Sequence, residues 1–139
     1  MAEKLVFSLV APTRELFHGE VDQVDVPGTE GNFGVLPRHA PVMAMIRPGA
    51  LRIVNDGTER RIFVNGGFAD VTPEGLTVLA EDAVDLADVD LAGIEQELKN
   101  AREDLGVVSD EGAKAQVAFR IARLEAMRVA LASAPRAAH

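Results

Sequence analysis

The stretch LRIVNDGTERRIFV, residues 51–64, carries the clearest fold signal in the chain. Apolar and polar residues alternate on both sides of Asn55-Asp56-Gly57. Such alternation is typical of half-buried strands, and an Asp-Gly pair between two of them indicates a tight β-hairpin turn. We therefore predict an antiparallel hairpin whose buried face carries four apolar side chains, Leu51, Ile53, Ile62 and Val64.

The same alternation continues on both sides of this hairpin, with Gly or Pro every few residues. A last predicted strand, residues 76–80, follows the turn at residues 73–75. Several short strands with no helical segment between them predict an antiparallel β-sandwich or barrel, which we place at residues 1–86. The predicted inward residues of its first strands are Leu5, Phe7 and Leu9, and then Val24 and Val26.

From Asp88 onward the apolar period becomes helical. One stripe comprises Ile94, Leu98, Ala101 and Leu105, and a second comprises Val117, Ile121, Leu124, Met127 and Leu131. We expect Gly106 to end the first helix and Ser109 or Asp110 to cap the second. The short break between the stripes predicts antiparallel helices over residues 87–139. The predicted fold is therefore α+β, an antiparallel β-sandwich or barrel followed by a two-helix hairpin.

The two predicted helices carry opposite charge. Residues 88–111 have a net charge of -6, and residues 112–139 have a net charge of +4. We expect Arg120 to pair in the compact hairpin with acids of the first helix such as Glu97, Glu103 or Asp104, and the same holds for Arg123 and Arg128. Exposed pairs of this kind are weak, so a released second helix would offer positive charge to an acidic partner.

The composition excludes several classes of protein. With 47% hydrophobic and 26% charged residues, the 139-residue chain is typical of a soluble globular protein. The absence of Cys excludes disulfides and thiolate metal sites. A net charge of -8 without Trp or Tyr disfavours nucleic acid as a partner. The sequence contains no leader, no transit segment and no apolar run of roughly 20 residues, so we expect membrane contact only through partners.

Motifs of catalysis are also missing from the sequence. It has no G-x-x-x-x-G-K-[ST] loop, and the segment 28–34 contains no Lys and precedes no helix, so we interpret it as a shaped turn. A metal site built from His18 and His39 with Asp22 or Asp25 is the weaker reading, because the histidines lack ligand spacing. His139 stands alone at the end of the chain, and Ser8, Ser109 and Ser133 lie in no nucleophile-elbow context. We predict no catalytic residue, no metal and no cofactor.

The segment 31–41 combines special backbone positions with apolar groups. Loops that present apolar side chains on a rigid scaffold commonly form contact sites. The alternative is that Phe33, Val35 and Leu36 pack into the sandwich. Residue chemistry alone leaves both readings open.

A series of motifs runs through the first domain in a regular order. They are Phe17-x-Gly19, Pro27-Gly28, Glu30-Gly31-Asn32-Phe33-Gly34, Pro37-Arg38-His39-Ala40-Pro41, Gly49-Ala50-Leu51-Arg52-Ile53, Gly66-Gly67-Phe68 and Thr77-Val78-Leu79-Ala80. Their order and spacing over residues 17–80, with a helical hairpin after them, closely resemble the ATP synthase epsilon family.

The resemblance implies a non-catalytic rotor subunit in the central stalk of a bacterial F-type ATP synthase, which couples proton translocation through the c ring to ATP synthesis. It implies that the first domain lies between the gamma subunit and the c ring, peripherally on the cytoplasmic face of the inner membrane. The implied c-ring contacts are Gly28, Thr29, Glu30, Gly31, Asn32 and Phe33. The implied gamma contacts are Arg38, His39, Ala40 and Pro41.

In many family members the hairpin also has an extended state that reaches the alpha and beta subunits and blocks ATP hydrolysis. By resemblance, Arg120, Arg123 and Arg128 would form the regulatory surface of the second helix. Members that bind ATP carry I/L-D-x-x-R-A at the start of the first helix. The stretch at residues 89–94 keeps only Asp90 of that motif, so we predict no bound nucleotide and treat Asp90 as a remnant.

Two rival functions remain at this point. One is a ligand-binding sandwich with a helical dimerisation tail, which would need a concave apolar pocket and a stable homodimer. The other is a hydrolytic or metal-dependent enzyme, which the missing motifs disfavour. A rotor subunit would instead be monomeric alone and copurify with gamma.

Overall fold

A computed structural model describes residues 3–132 of the chain. The last residues of the predicted hairpin domain, 133–139, lie outside the described part, and so do residues 1 and 2. The described chain divides into two compact units, one ending at Ala87 and the other beginning at Asp88.

The first unit is built from eight strands. They are β1 Leu5–Ala11, β2 Arg14–Val21, β3 Gln23–Gly28, β4 Gly31–Val35, β5 Val42–Asn55, β6 Thr58–Thr72, β7 Gly75–Ala80 and β8 Ala83–Asp85. Seven of them follow the order β2-β1-β7-β6-β5-β3-β4, and β8 pairs with β6. A 3-10 turn at Leu86–Asp88 follows the last strand.

The hairpin predicted at residues 55–57 is confirmed. Asn55 pairs with Thr58 across a two-residue turn, and both Asp56 and Gly57 have positive φ, of 52° and 80°. Positive φ at both central residues is the type I′ geometry that matches the twist of the flanking strands. The turn therefore sets the register of the long β5–β6 pair.

The inward faces predicted for the strands are confirmed as well. Every predicted inward residue of the strands named above is at most 4% exposed. Together with side chains from the other strands they form one hydrophobic core, to which all of β1 to β7 contribute. A single core shared by strands from both ends of the sheet requires the sheet to fold over itself, as in a β-sandwich.

Strand β6 contributes to both halves of this sandwich. Its segment Ile62–Val64 pairs with β8, and its segment Gly67–Thr72 pairs with β7. Gly66 and Gly67 lie between them with φ of 83° and 146°. A Cβ at Gly67 would overlap the carbonyl oxygen of Leu79, so only glycine allows β6 to change its neighbour at this point.

Two details differ from the sequence prediction. Residues 76–80 are not the last strand, because β8 follows them; three residues are too few for alternation to be recognised. One of the seven strand pairings, β1 with β7, is parallel, and the other six are antiparallel. Apolar alternation reports which face of a strand is buried, but not which strand lies beside it.

The second unit contains α1, Leu91–Val107, and α2, Glu111–Ala132. Two ion pairs show that the helices are antiparallel, since Arg102 meets Glu125 at 3.2 Å and Arg120 meets Asp104 at 3.4 Å. The buried side chains all belong to the predicted stripes, namely Ile94, Leu98, Ala101, Leu124 and Met127. The α+β fold, a sandwich followed by a helical hairpin, is therefore confirmed.

Of the two helix ends predicted from the sequence, one is found in the structure and the other is not. Asp110 caps α2, because its Oδ2 accepts a hydrogen bond from the N–H of Ala113 at 2.9 Å. The predicted C-cap at Gly106 is wrong. Helix α1 continues to Val107, and Val108 ends it in an extended conformation while its N–H donates to the carbonyl of Asp104. An extended C-cap has negative φ, so this helix end does not require glycine.

Candidate functional site

The predicted c-ring contacts form a tight hairpin between β3 and β4. Gly28 pairs with Gly31, and Thr29 and Glu30 form the exposed tip. A Cβ at Gly28 would lie 2.7 Å from the carbonyl oxygen of Gly31 and 3.1 Å from the Phe33 ring. The close approach of the two strands therefore depends on glycine at position 28.

The structure divides the apolar residues of β4 between core and surface. Val35 is fully buried, and Phe33 is partly buried against the core. Leu36, directly after the strand, is 53% exposed. The strand alternation turns Val35 into the sandwich and the following loop turns Leu36 outward, so packing is confirmed for Val35, and the contact site stays a prediction.

The predicted gamma contacts lie on the loop between β4 and β5. The loop contains a turn in which the N–H of His39 donates to the carbonyl of Leu36 at 3.2 Å, and Arg38 has a positive φ of 63°. His39 Nδ1 lies 2.7 Å from the carbonyl oxygen of Ala40. Ala40 and Pro41 are exposed, so the turn presents them on the outer surface.

An open cleft of about 470 Å³ is lined by the β3–β4 hairpin and the beginning of β5. The hairpin residues Glu30 and Phe33 line it, and so does His39 of the loop. The structure thus brings residues of both predicted contact groups to one place. Three further side chains of its lining are exposed and apolar, namely Val42, Met43 and Met45, at 39%, 65% and 58%.

Sequence reasoning missed the contribution of β5 to this cleft. The segment VMAMI, residues 42–46, is apolar at every position. A strand that is apolar on both faces indicates that both faces are covered by something. Ile46 is buried in the core, whereas Met43 and Met45 face outward and are left largely uncovered by the described residues, 3–132.

The residues proposed for a metal site have other partners. His18 lies 2.7 Å from the hydroxyl of Ser8, and Asp25 is bonded to Gln23 and Arg52. Asp22 accepts a hydrogen bond from Lys4 at 2.7 Å. Within residues 3–132, no group of three His, Asp or Glu side chains is placed to hold a metal ion.

The Lys4 ammonium connects Asp22, which lies between β2 and β3, to Asp56 of the β5–β6 turn. It lies 2.7 Å from Asp22 and 2.8 Å from Asp56. Hydrogen bonds from Lys4 and from the backbone N–H of Asp56 lower the pKa of Asp22. Hydrogen bonds to Asp22 and Asp56 raise the pKa of Lys4.

Asp90 and Arg120 of the helical unit have structural contacts. Asp90 caps α1, since its Oδ1 accepts from the N–H of Ala92 at 3.4 Å, so this acid has a role without a nucleotide. Arg120 pairs with Asp104, one of the partners predicted for it, and both side chains are about half exposed. Arg123 and Arg128 are partly buried. Neither helix in the described range is long and apolar enough to cross a bilayer.

Comparisons with known proteins match this architecture. Residues 4–86 match the model of the ATP synthase delta/epsilon chain beta-sandwich domain. The ATP synthase epsilon chain of Maricaulis maris is 53% identical over 132 residues, which cover 95% of this chain and 99% of the relative. The epsilon chain of Hyphomonas neptunium is 47% identical, with 96% and 100% covered.

A solved structure shares the fold over nearly the whole length. It is a chain in the cryo-EM structure of the OSCP/F1/c-ring part of the Euglena gracilis mitochondrial ATP synthase, with a TM-score of 0.81. The alignment covers 94% of this chain and 83% of that one at 23% sequence identity. At this identity the likeness establishes a shared fold.

Proposed function

This chain belongs to the ATP synthase delta/epsilon family, and from that membership we propose that it is a non-catalytic rotor subunit of a bacterial F-type ATP synthase. In this role it links the gamma subunit to the c ring and couples proton translocation to ATP synthesis at the catalytic hexamer. Its place is then peripheral, on the cytoplasmic face of the inner membrane.

The observation that carries the proposal is the apolar cleft beside the β3–β4 hairpin. Met43 and Met45 are more than half exposed on a strand whose other face carries the buried Ile46. Contiguous exposed apolar groups are costly for a free protein and are typical of surfaces that a partner covers. The hairpin tip and the loop at His39 border the same cleft, which fits a surface where two partners meet.

We assign the hairpin residues 28–33 to the c ring and the loop residues 38–41 to gamma. In the hairpin, Gly28 and Gly31 are paired directly beside the tip, so only Thr29 and Glu30 project beyond the paired strands. Its exposed tip carries the carboxylate of Glu30, which suits a partner loop with cationic or amide donors. The gamma loop is continuous with the exposed start of β5, so gamma covers Val42 and Met43 as well.

We propose that the helical unit inhibits ATP hydrolysis. Leaving the compact hairpin would break the Arg120–Asp104 and Arg102–Glu125 pairs, which are exposed and therefore weak. The arginines of α2 would then contact an acidic surface of the alpha or beta subunits. The pairs that hold the compact state are thus easily exchanged for intermolecular ones.

The test is the recovery of tagged protein from bacterial membranes, with a matched pair of variants. Met43 in the cleft and Val129 on α2 are both 65% exposed, so Met43→Asp and Val129→Asp introduce the same charge at equal exposure. We expect the unchanged protein and Val129→Asp to copurify with gamma and c subunits, and Met43→Asp to lose them. Equal recovery of gamma and c with both variants would contradict the proposed contact surface.

The cleft also favours a second candidate function, that of a ligand-binding module with a helical dimerisation tail. A volume of about 470 Å³ lies in the range of small-molecule sites. Sedimentation of the purified chain separates the two functions. A rotor subunit sediments as a monomer, whereas the binding module sediments as a stable dimer and copurifies with no ATP synthase subunit.

A further inference from the structure

Arg47 of β5 contacts both strands of the β3–β4 hairpin. Its Nη1 donates a hydrogen bond to the carbonyl oxygen of Gly28 at 2.5 Å. Its Nη2 donates to the side-chain oxygen of Asn32, also at 2.5 Å. One guanidinium group therefore joins the last residue of β3 to the second residue of β4.

The backbone pairing around this point explains why a side chain is needed. The register between β3 and β5 is interrupted between Asp25 and Gly28. Beyond the interruption Gly28 lies opposite Ile46, and the N–H of Thr29 donates to the carbonyl of Met45 at 3.0 Å. The tip is thus attached to β5 by a short backbone segment, and Arg47 adds two charge-assisted hydrogen bonds to that attachment.

We propose that Arg47 is a positioning residue that holds the β3–β4 hairpin in the orientation needed to bind its partner. The inference rests on the proposed function, in which this hairpin contacts the c ring. A hairpin held in place before binding loses less conformational entropy when it binds. The planar guanidinium supplies two donors in a fixed fork, whereas a Lys ammonium is a point charge and cannot reproduce that geometry.

The proposal is tested with Arg47→Met, which removes both donors, and Arg47→Lys, which keeps the charge. Arg60→Met is the matched control, because the Arg60 guanidinium pairs with Asp85 of β8 and lies over the Phe17 ring of β2, and neither of these strands pairs with the β3–β4 hairpin. Amide hydrogen exchange is measured in the full-length protein. We expect exchange at residues 28–32 to accelerate about tenfold in Arg47→Met, less in Arg47→Lys and not at all in Arg60→Met.

Coupling is then measured in membranes that contain each variant, as ATP-driven proton pumping relative to ATP hydrolysis. We expect this ratio to fall most in Arg47→Met, less in Arg47→Lys and not at all in Arg60→Met. The affinity of each variant for isolated gamma and its midpoint of unfolding are expected to stay close to those of the unchanged protein. A merely structural role would lower gamma affinity and stability together with coupling. Unchanged exchange at residues 28–32, or normal coupling with Arg47→Met fully incorporated, would overturn the proposal.

Failure of the proposed function gives a different pattern. Glu30→Lys reverses the charge at the hairpin tip without touching the Arg47 contacts. If both Glu30→Lys and Arg47→Met leave coupling normal, the hairpin does not contact the c ring and the positioning role falls with it. If Glu30→Lys impairs coupling and Arg47→Met does not, the contact stands and only the role of Arg47 is rejected.

Discussion

The Phe33 ring lies across Gly28, so that a Cβ at Gly28 would stand 3.1 Å from the Cε1 atom of Phe33. The same Cβ would stand 2.7 Å from the carbonyl oxygen of Gly31. The missing side chain lets the ring lie over the hairpin, where it contacts the core on one side and lines the cleft on the other. The shape of the proposed contact surface thus depends on one glycine.

Replacing this glycine is expected to destabilise the protein. Gly28→Ala forces the hairpin or the Phe33 ring to move, at a cost of about 1–3 kcal/mol in the free energy of unfolding. Gly106→Ala is the control, because a Cβ at Gly106 meets nothing within 4 Å inside helix α1. There alanine is expected to stabilise by about 0.5–1 kcal/mol. Urea unfolding measures both, and equal effects of the two changes would contradict the steric argument.

Substitutions at the neighbouring residues Val35 and Leu36 are expected to have different effects, one on folding and the other on binding. Val35→Asp places a charge in the core, where burial without a partner costs several kcal/mol, so we expect this variant not to fold. Leu36→Asp places the same charge on an exposed loop and is expected to fold normally but to lose ATP-driven proton pumping. Circular dichroism and membrane pumping assays check this pair. Normal pumping with Leu36→Asp stoichiometrically incorporated would rule out a contact at Leu36.

The Lys4–Asp22 contact predicts the pH dependence of stability. The pKa of folded Asp22 lies below the ordinary value of 3.8, so its contribution is complete at neutral pH and is lost as pH falls through 3.8 and below. The pKa of Lys4 is raised above 10.5, so its contribution is lost only above that pH. Asp22→Asn is expected to lower the urea midpoint at pH 7 and to have little effect near pH 2.

The exposed turn residue Glu74 provides the control for this measurement. Glu74→Gln makes the same chemical change away from the Lys4 contact and is expected to leave the midpoint at pH 7 almost unchanged. If Asp22→Asn lowered the midpoint equally at pH 7 and pH 2, the loss would come from packing rather than from charge.

A chain that ends after Ala87 is expected to fold and to bind gamma. It retains all eight strands, and every member of the core cluster belongs to one of them. Nuclear magnetic resonance spectra report folding, and size-exclusion chromatography with isolated gamma reports binding. A truncated chain that is folded but never binds gamma would show that the helical unit is the anchor.

The proposed inhibition by the helical unit predicts that the α2 arginines affect ATP hydrolysis in a salt-dependent way. With Arg120, Arg123 and Arg128 all changed to Ala, ATP hydrolysis by the assembled complex is expected to rise at low salt and to rise less at moderate salt. Exposed charge contacts are screened over about 8–10 Å near physiological ionic strength. Arg102→Ala breaks a comparable pair from the α1 side and leaves α2 positive, so it is expected not to relieve inhibition. Unchanged hydrolysis in the triple variant at both salt concentrations would remove the regulatory role.

Much of this architecture was predictable because it depends on patterns within short segments of the sequence. Whether a residue faces inward follows from the period of its own strand or helix, and this holds for Phe7 in β1 as for Leu98 in α1. The turn at residues 55–57 was recognisable because its backbone geometry demands Asp-Gly or a similar pair. The loop motifs likewise drew attention to the segments 28–34 and 37–41, whose residues line one cleft, and their contacts with partners stay a prediction.

The fold class, the inward faces and the family motifs could thus be recognised in the amino-acid order alone, since each is carried by short segments of the chain. The packed strands were needed to show that β1 lies parallel to β7, that Met43 joins Phe33 and His39 in one cleft, and that Arg47 bonds to Gly28 and Asn32. These are relationships between residues distant in sequence. No local period or turn preference encodes them, because they arise only when the strands pack around their common core.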